Sequence, residues 1–218
     1  MVIQWLGQSC FQFKTKPSAT AEEATIVLDP YSPDLGLKLP RNLSADLLLM
    51  THDHDDHAYH AGVSGNPFVI QGPGEYEAKG VFVYGIATWH DQSQGKERGV
   101  NTMYRLESEG LTIAHLGDLG HPLSDAQLDQ LDGIDILLVP VGGATTLDAA
   151  AAVEVVQSIE PRIVIPMHYH LPSLKVKLAT VDVFLKALGA PHERVEKLKM
   201  TKKDLPQEDM RCVVLEQS

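Results

Sequence analysis

The chain reads as an α/β fold, and three observations predict it. Short apolar runs of the kind buried on both faces of a sheet recur at residues 47–50, 134–139 and 162–165. In the second half these runs alternate with stretches of helical periodicity, the pattern of strands followed by helices. Polar, chemistry-bearing residues gather just beyond the ends of the runs, which is where α/β folds collect their ligands. At 218 residues with 44% apolar content, the chain is sized for one core, and a single domain over residues 1–218 is expected.

Taken in order, residues 2–13 alternate loosely around Gly7 and predict a hairpin. Residues 14–23 are polar and make a surface connection to a strand at 25–28, which ends in Asp29-Pro30. Pro33, Gly36 and Pro40 mark residues 31–43 as loop, and a strand follows at 46–50. A short helix is expected after residue 57, ended by Gly62, Gly65 and Pro67. Strands at 68–70 and 81–84 flank a turn at Gly72-Pro73-Gly74, the second running on towards Trp89-His90-Asp91, and a mobile polar loop spans 92–99. Residues 101–106 and 111–115 form a hairpin about Glu109-Gly110. Ser124 and Gln127 make a capping box opening a helix to about Leu131. A strand at 134–139 closes at Pro140, and Asp148 caps an alanine-rich helix that reaches Ile159 and stops at Glu160-Pro161. After the strand at 162–165, Val181, Phe184, Leu185 and Leu188 recur at helical spacing before Gly189 and Pro191. Residues 194–200 and 211–215 read as closing strands.

Eighteen basic residues against 29 acidic ones leave a formal charge of −11, which repels phosphate backbones and disfavours a nucleic-acid partner. A cationic centre reverses that sign locally, so a small-molecule substrate, anionic ones included, is the expected partner. Cys10 and Cys212 lie far apart and outside any Cys-x-x-Cys spacing, which argues against a disulfide framework or a thiolate zinc site. The first residues lack a basic start and apolar core, and no apolar run approaches the roughly 20 residues of a membrane span. No membrane partner and a cytoplasmic location are therefore expected, with a homo-oligomer left open.

The most informative stretch is Thr51-His52-Asp53-His54-Asp55-Asp56-His57, which packs three imidazoles and three carboxylates into seven residues directly after a buried-type strand. Neutral imidazole and carboxylate suit zinc and related divalent ions. His52 and His54 are two apart, so extended backbone points both the same way and lets them grip one ion. Asp56 and His57, past the bend, can turn to a neighbouring one. Three further strand exits carry His90, Asp118 between glycines, and His168. Singly, each of these histidines is more often structural; together with the motif, the ligand reading is favoured. Asp29, at a strand end nearby, is placed to orient a ligand imidazole by accepting its second N–H.

This series, His-x-His-x-Asp-His, then an isolated His, Gly-Asp, and a His after an apolar strand, resembles the metallo-β-lactamase fold superfamily. With residues 115–121 and Pro140-Val141-Gly142-Gly143, the closer likeness is to its small single-domain zinc-dependent hydrolases, and it spans nearly the whole chain. The resemblance implies an αββα four-layer sandwich of two mixed sheets with outer helices and a dinuclear site at one edge. It places His52, His54 and His90 on a first ion and Asp56, His57 and His168 on a second, with Asp118 bridging. The ions would be Zn2+, with Mn2+ or Fe2+ as substitutes, and the family's bridging hydroxide would be the nucleophile.

Asp56, Asp118 and His121 are the expected catalytic residues, His121 through substrate contact or proton transfer. Asp29, Asp91, His115 and His170 are expected behind the ligands, and Arg98, Asn101 and Tyr169 along the substrate pocket. The implied activity is a metal-dependent hydrolase acting on a small ester, lactone or phosphodiester. The alternatives are a mononuclear iron persulfide oxygenase and an RNA- or nucleotide-processing phosphodiesterase. No cysteine enters the second ligand set, and His54 is not the Glu of the di-iron oxidoreductase branch. Many relatives carry His near the position of Gln8.

Overall fold

The computed structural model describes residues 1–218. Its strands are β1 (Val2–Gly7), β2 (Cys10–Thr15), β3 (Ala24–Leu28), β4 (Ser44–Met50), β5 (Ser64–Gln71), β6 (Gly74–Ala78), β7 (Val81–Trp89), β8 (Val100–Ser108), β9 (Leu111–His115), β10 (Ile136–Pro140), β11 (Ile163–Met167), β12 (His192–Val195), β13 (Leu198–Lys199) and β14 (Arg211–Leu215). The helices are α1 (Asp125–Gln130), α2 (Ala149–Ile159) and α3 (Val181–Leu188). Two mixed sheets form, one ordered β13-β1-β2-β3-β4-β5 and the other β12-β14-β11-β10-β9-β8-β7-β6.

Side-chain alternation explains why the sheets stack. Along β3 and β4, Ile26, Leu28, Leu47 and Leu49 face the second sheet and join the main core, which Val83, Leu106, Ile113 and Leu138 enter from the other side. Their neighbours Val27, Leu48 and Met50 point outward into a smaller cluster with Tyr31, Leu37, Leu43 and Leu174. Strands buried on both faces read as continuous apolar runs for this reason. On the second sheet, α2 and α3 form the outer layer: Ala152, Val155 and Val156 of α2 and Phe184 and Leu185 of α3 are buried. On the first sheet the outer layer is thin, made of loop and two 3-10 turns, Pro33–Leu35 and His60–Gly62.

Helix ends follow the local chemistry. Gln127 Oε1 accepts from the Ser124 N–H at 3.0 Å, and Asp148 Oδ1 accepts from the Ala151 N–H at 2.9 Å.

Three sequence expectations change. The short helix after residue 57 is only a 3-10 turn, and Gly65 and Pro67 lie inside β5 instead of ending a helix. β5 is an edge strand, where a missing N–H costs no ladder bond. β6 went unpredicted because Gly74, Glu75 and Glu77 are poor strand formers and only the antiparallel pairing with β7 fixes them. The single closing strand at 194–200 divides in two: β12 pairs parallel with β14 in the second sheet, and β13 pairs antiparallel with β1 in the first.

The pairings set the functional end. β9, β10 and β11 run parallel, and β8 is antiparallel to both β7 and β9, so β7, β9 and β11 finish at one rim. β4 brings the histidine-rich stretch to the same rim from the opposing sheet. No helix is long and apolar enough to cross a membrane.

Candidate metal centre

Two groups of donor atoms meet where the sheets' rims face each other. The ligand atoms of His52, His54 and His90 lie within 4.8 Å of one another, as do those of Asp56, His57, Asp118 and His168. Asp118 stands between the groups. Its Oδ2 is 3.1 Å from His90 Nε2 and 3.3 Å from His168 Nε2, while its Oδ1 is 3.2 Å from His57 Nε2. All seven residues named as ligands from the sequence are thus brought together. Asp53 and Asp55 of the same stretch are exposed.

A single carboxylate organises the histidines. Asp29, fully buried, accepts from the Thr51 N–H through Oδ1 at 2.8 Å, and through Oδ2 from the Thr51 hydroxyl at 2.7 Å and from His57 Nδ1 at 2.8 Å. With its proton committed to Asp29, the Thr51 hydroxyl accepts from His52 Nδ1 at 2.9 Å. Both His52 and His57 therefore turn Nε2 towards the centre, which is how an outer hydrogen bond sets the tautomer of a metal-binding imidazole.

The electrostatics fit a cation. His52 Nε2, His57 Nε2 and Asp118 Oδ1 are buried with no aligned hydrogen-bond partner, a costly arrangement unless something positive completes it. Burial, with His57 adding to it, pushes His52 down to about 2, so this imidazole stays neutral and its lone pair is free to ligate. Burial also works against charge on His57, but Asp118 and Asp29 outweigh it and hold His57 well above the usual histidine range. Burial opposes ionisation of Asp118 too, and His168 and His57 overcome it, keeping the carboxylate well below its usual range. The pocket demands positive charge, and a divalent ion on bare Nε2 and Oδ atoms answers that demand in the way a proton on His57 otherwise must.

Two glycines make room. Gly117 has φ +57, and a Cβ there would run into Asn101 Oδ1 and lie 2.8 Å from Thr51 Cβ, so only glycine lets the chain turn into Asp118. At Gly142 a Cβ would collide with the His168 carbonyl oxygen.

Two of the residues expected to meet substrate, Asn101 and Tyr169, do other work. Asn101 is buried; its Nδ2 donates to Thr88 Oγ1 at 2.7 Å and to the Leu116 carbonyl at 3.0 Å, and its Oδ1 accepts from the Asp118 N–H at 3.0 Å. It positions the Asp118 turn instead of lining a pocket. Tyr169 is buried against Trp5, with ring centroids 4.8 Å apart. Arg98 is exposed, and its backbone N–H donates to Asp91 Oδ2 at 2.8 Å.

His121, Asp91, His115 and His170 take different places around the centre. His121, expected in proton transfer, has both ring nitrogens engaged by backbone: Nε2 accepts from the Trp89 N–H at 3.1 Å, so Nδ1–H donates to the Pro122 carbonyl at 2.7 Å. Asp91 does not back His90. Its carboxylate accepts from the backbone of Ser93, Gly95, Glu97 and Arg98, bracing the 92–99 loop. His115 is buried; Nδ1 accepts from the Gly117 N–H at 3.1 Å and Nε2 donates to the Ser9 carbonyl at 2.9 Å, which places it behind the Asp118 turn. His170 is exposed, with its backbone N–H bonded to the Ala179 carbonyl at 2.9 Å.

The Gly7-Gln8-Ser9 turn of the predicted hairpin reaches the centre, a role that residue types alone do not give to Gln8. Gln8 Nε2 donates to Asp56 Oδ2 at 3.3 Å, and the Gln8 carbonyl accepts from the His168 N–H at 3.1 Å. A concavity of about 810 Å³ around Asp135, Glu160 and Arg162 lies at the opposite ends of the strands. Donor chemistry, not depth, marks this centre.

Comparison with known proteins agrees with the geometry. The family model for the beta-lactamase superfamily domain matches residues 2–168. A UPF0173 metal-dependent hydrolase of Thermoplasma acidophilum is 31% identical over 192 residues, covering 77% of this chain and 83% of that protein. Another from Staphylothermus marinus is 31% identical over 195 residues, covering 78% and 83%. A solved candidate Zn-dependent hydrolase of the metallo-beta-lactamase superfamily from Thermotoga maritima superposes with TM-score 0.79 at 38% identity, covering 98% of both chains. Two sheets, one rim, the ligand series and these likenesses converge: the chain belongs to the metallo-β-lactamase superfamily.

Proposed function

We propose that the protein is a dinuclear metal-dependent hydrolase, with zinc as the working ion, that cleaves a small ester, lactone or phosphodiester. The observation carrying this reading is Asp118 lying within 3.3 Å of an imidazole from each of the two donor groups, 3.1 Å from His90 and 3.3 Å from His168. Metal-dependent hydrolase is also the name of the relatives from Thermoplasma acidophilum and Staphylothermus marinus. A mononuclear oxygenase has no use for a second, four-residue group of Asp56, His57, Asp118 and His168.

Held by His52, His54 and His90 and by Asp56, His57, Asp118 and His168, divalent ions would supply an activated water near neutral pH, with a pKa of about 7, and would polarise the group under attack. The chain's own residues supply the frame. Asp29 and Thr51 present the Nε2 lone pairs of His57 and His52, and the buried Asp118 spans both groups from a turn that Asn101 and His115 hold rigid. Asp56, whose side chain is 27% exposed, is the acidic ligand most open to solvent and is placed to take or return a proton during turnover. With a formal charge of −11 on the chain, attraction of an anionic substrate rests on the centre itself.

Metal analysis beside activity tests the proposal. Purified protein should hold two zinc ions per chain and hydrolyse p-nitrophenyl esters, simple lactones or bis-p-nitrophenyl phosphate, losing turnover on chelation and regaining it with zinc. Equal turnover with and without metal, or none on all three classes, overturns it.

A further inference from the structure

We propose that Gln8 is the positioning residue of the second metal subsite, orienting Asp56 through its side-chain amide and seating His168 through its main-chain carbonyl. This rests on the two-metal reading above and adds a device by which the two subsites are tuned separately.

Gln8 occupies an uncomfortable place. It is 0% exposed at the tip of the β1–β2 hairpin, with φ +53, a left-handed conformation that a long side chain rarely adopts. Residues held in such conformations persist only where their surroundings insist, and here the surroundings are the metal ligands. The Gln8 carbonyl accepts from the Trp5 indole N–H at 2.8 Å and from the His168 N–H at 3.1 Å. His168 is itself left-handed, with φ +52, so two strained residues hold each other across 160 positions of sequence. From the same residue, Nε2 donates at 3.3 Å to Asp56 Oδ2, the oxygen that lies 3.6 Å from His57 Nε2.

The contacts are selective. Asp56 and His168 belong to one donor group, with His57 and Asp118, and Gln8 bonds to none of His52, His54 or His90. An amide also suits the task chemically. It fixes the carboxylate by a neutral hydrogen bond without cancelling the charge that attracts a cation, which a Lys or Arg in its place would do. Gln8 Oε1 is buried without a partner, so the amide has an acceptor in reserve for an O–H or N–H brought in with an occupied second site.

The test is stepwise Co2+ binding to the chelated full chain, followed by calorimetry and by the visible absorption of each bound ion, for wild type, Gln8→Met and Gln8→Gly. Methionine keeps the length and removes both hydrogen-bonding atoms; glycine removes the side chain while favouring the left-handed turn, which guards against failure to fold. In both variants the second ion should bind about 10–100-fold more weakly, the usual cost of losing an outer hydrogen bond to a ligand, with the first ion unchanged. Second-ion affinity equal to wild type, or equal weakening of both ions, overturns the assignment. A wild-type chain that takes up only one ion overturns the two-metal reading and this proposal with it.

Discussion

Asp29 acts on both halves of the centre at once, since its Oδ2 accepts directly from His57 and, through the Thr51 hydroxyl, governs His52. Replacing it by alanine leaves Thr51 and His57 Nδ1 without their acceptor and lets both rings rotate. Asp29→Ala should therefore weaken both ions by about 10–100-fold, read by zinc competition against a chromogenic chelator. A loss confined to one ion would show that the Thr51 link carries nothing. His121 sits at the other extreme. With its two nitrogens bonded to the Trp89 N–H and the Pro122 carbonyl, it turns neither towards the centre, so His121→Ala should leave the shape of the pH–rate profile unchanged. Disappearance of one limb of that profile would restore a role in proton transfer. This distinction could not be read from residue types. A histidine next to a metal motif looks the same whether its nitrogens face substrate or backbone.

At the level of elements, the centre depends on turns more than on strands. The Gly117 turn is pinned by the His115 imidazole and the Asn101 amide, and a Cβ at Gly117 would strike the latter while the residue stays left-handed. Gly117→Ala should cost about 1–3 kcal/mol in urea unfolding and more in metal affinity than in fold, because the strain falls on the backbone that carries Asp118. A variant as stable as wild type and with full metal content would show that the turn relaxes freely. The strands themselves were legible: β3, β4, β10 and β11 announce themselves as short apolar runs, and α1, α2 and α3 as capped or periodic stretches. β6 and the division of β12 from β13 were not, because pairing partners far along the chain, β7, β14 and β1, decide them.

Over the whole molecule, stability should depend on metal and on pH in a linked way. A metal ion held by donors from both sheets would bind only the folded arrangement, so chelation should lower the melting temperature; an ion present at 100 times its dissociation constant contributes about 2.7 kcal/mol. In the chelated protein, His52 is held down to about 2 and His115 is also lowered, both chiefly by burial. For a histidine depressed in the folded state, stability is present above the unfolded pKa of about 6.5 and drains away as pH falls towards the folded value, because the unfolded chain binds the proton first. His57, raised instead, is protonated in both states below that pH and adds no slope there. Chelated protein should thus lose up to about 1.4 kcal/mol per pH unit for each of the two histidines from pH 6.5 downwards, measured by urea unfolding between pH 7.5 and 4.5. Flat stability across that window would mean that neither ring is buried neutral.

What this amino-acid order determined alone was the local chemistry. Period and capping mark most elements, and seven donors at four strand exits point to a metal centre. Those signals survive in one dimension because neighbours along a strand or helix are also neighbours in space. Only the tertiary structure decided which groups face the centre and which hold the frame: that Asn101 braces Asp118, that Asp91 serves a loop, that Tyr169 packs on Trp5, and that Gln8 reaches Asp56 from 48 positions away. The physical reason is that a side chain's role is set by where its hydrogen-bonding atoms point once distant segments are pressed together, and residue spacing holds no record of that direction.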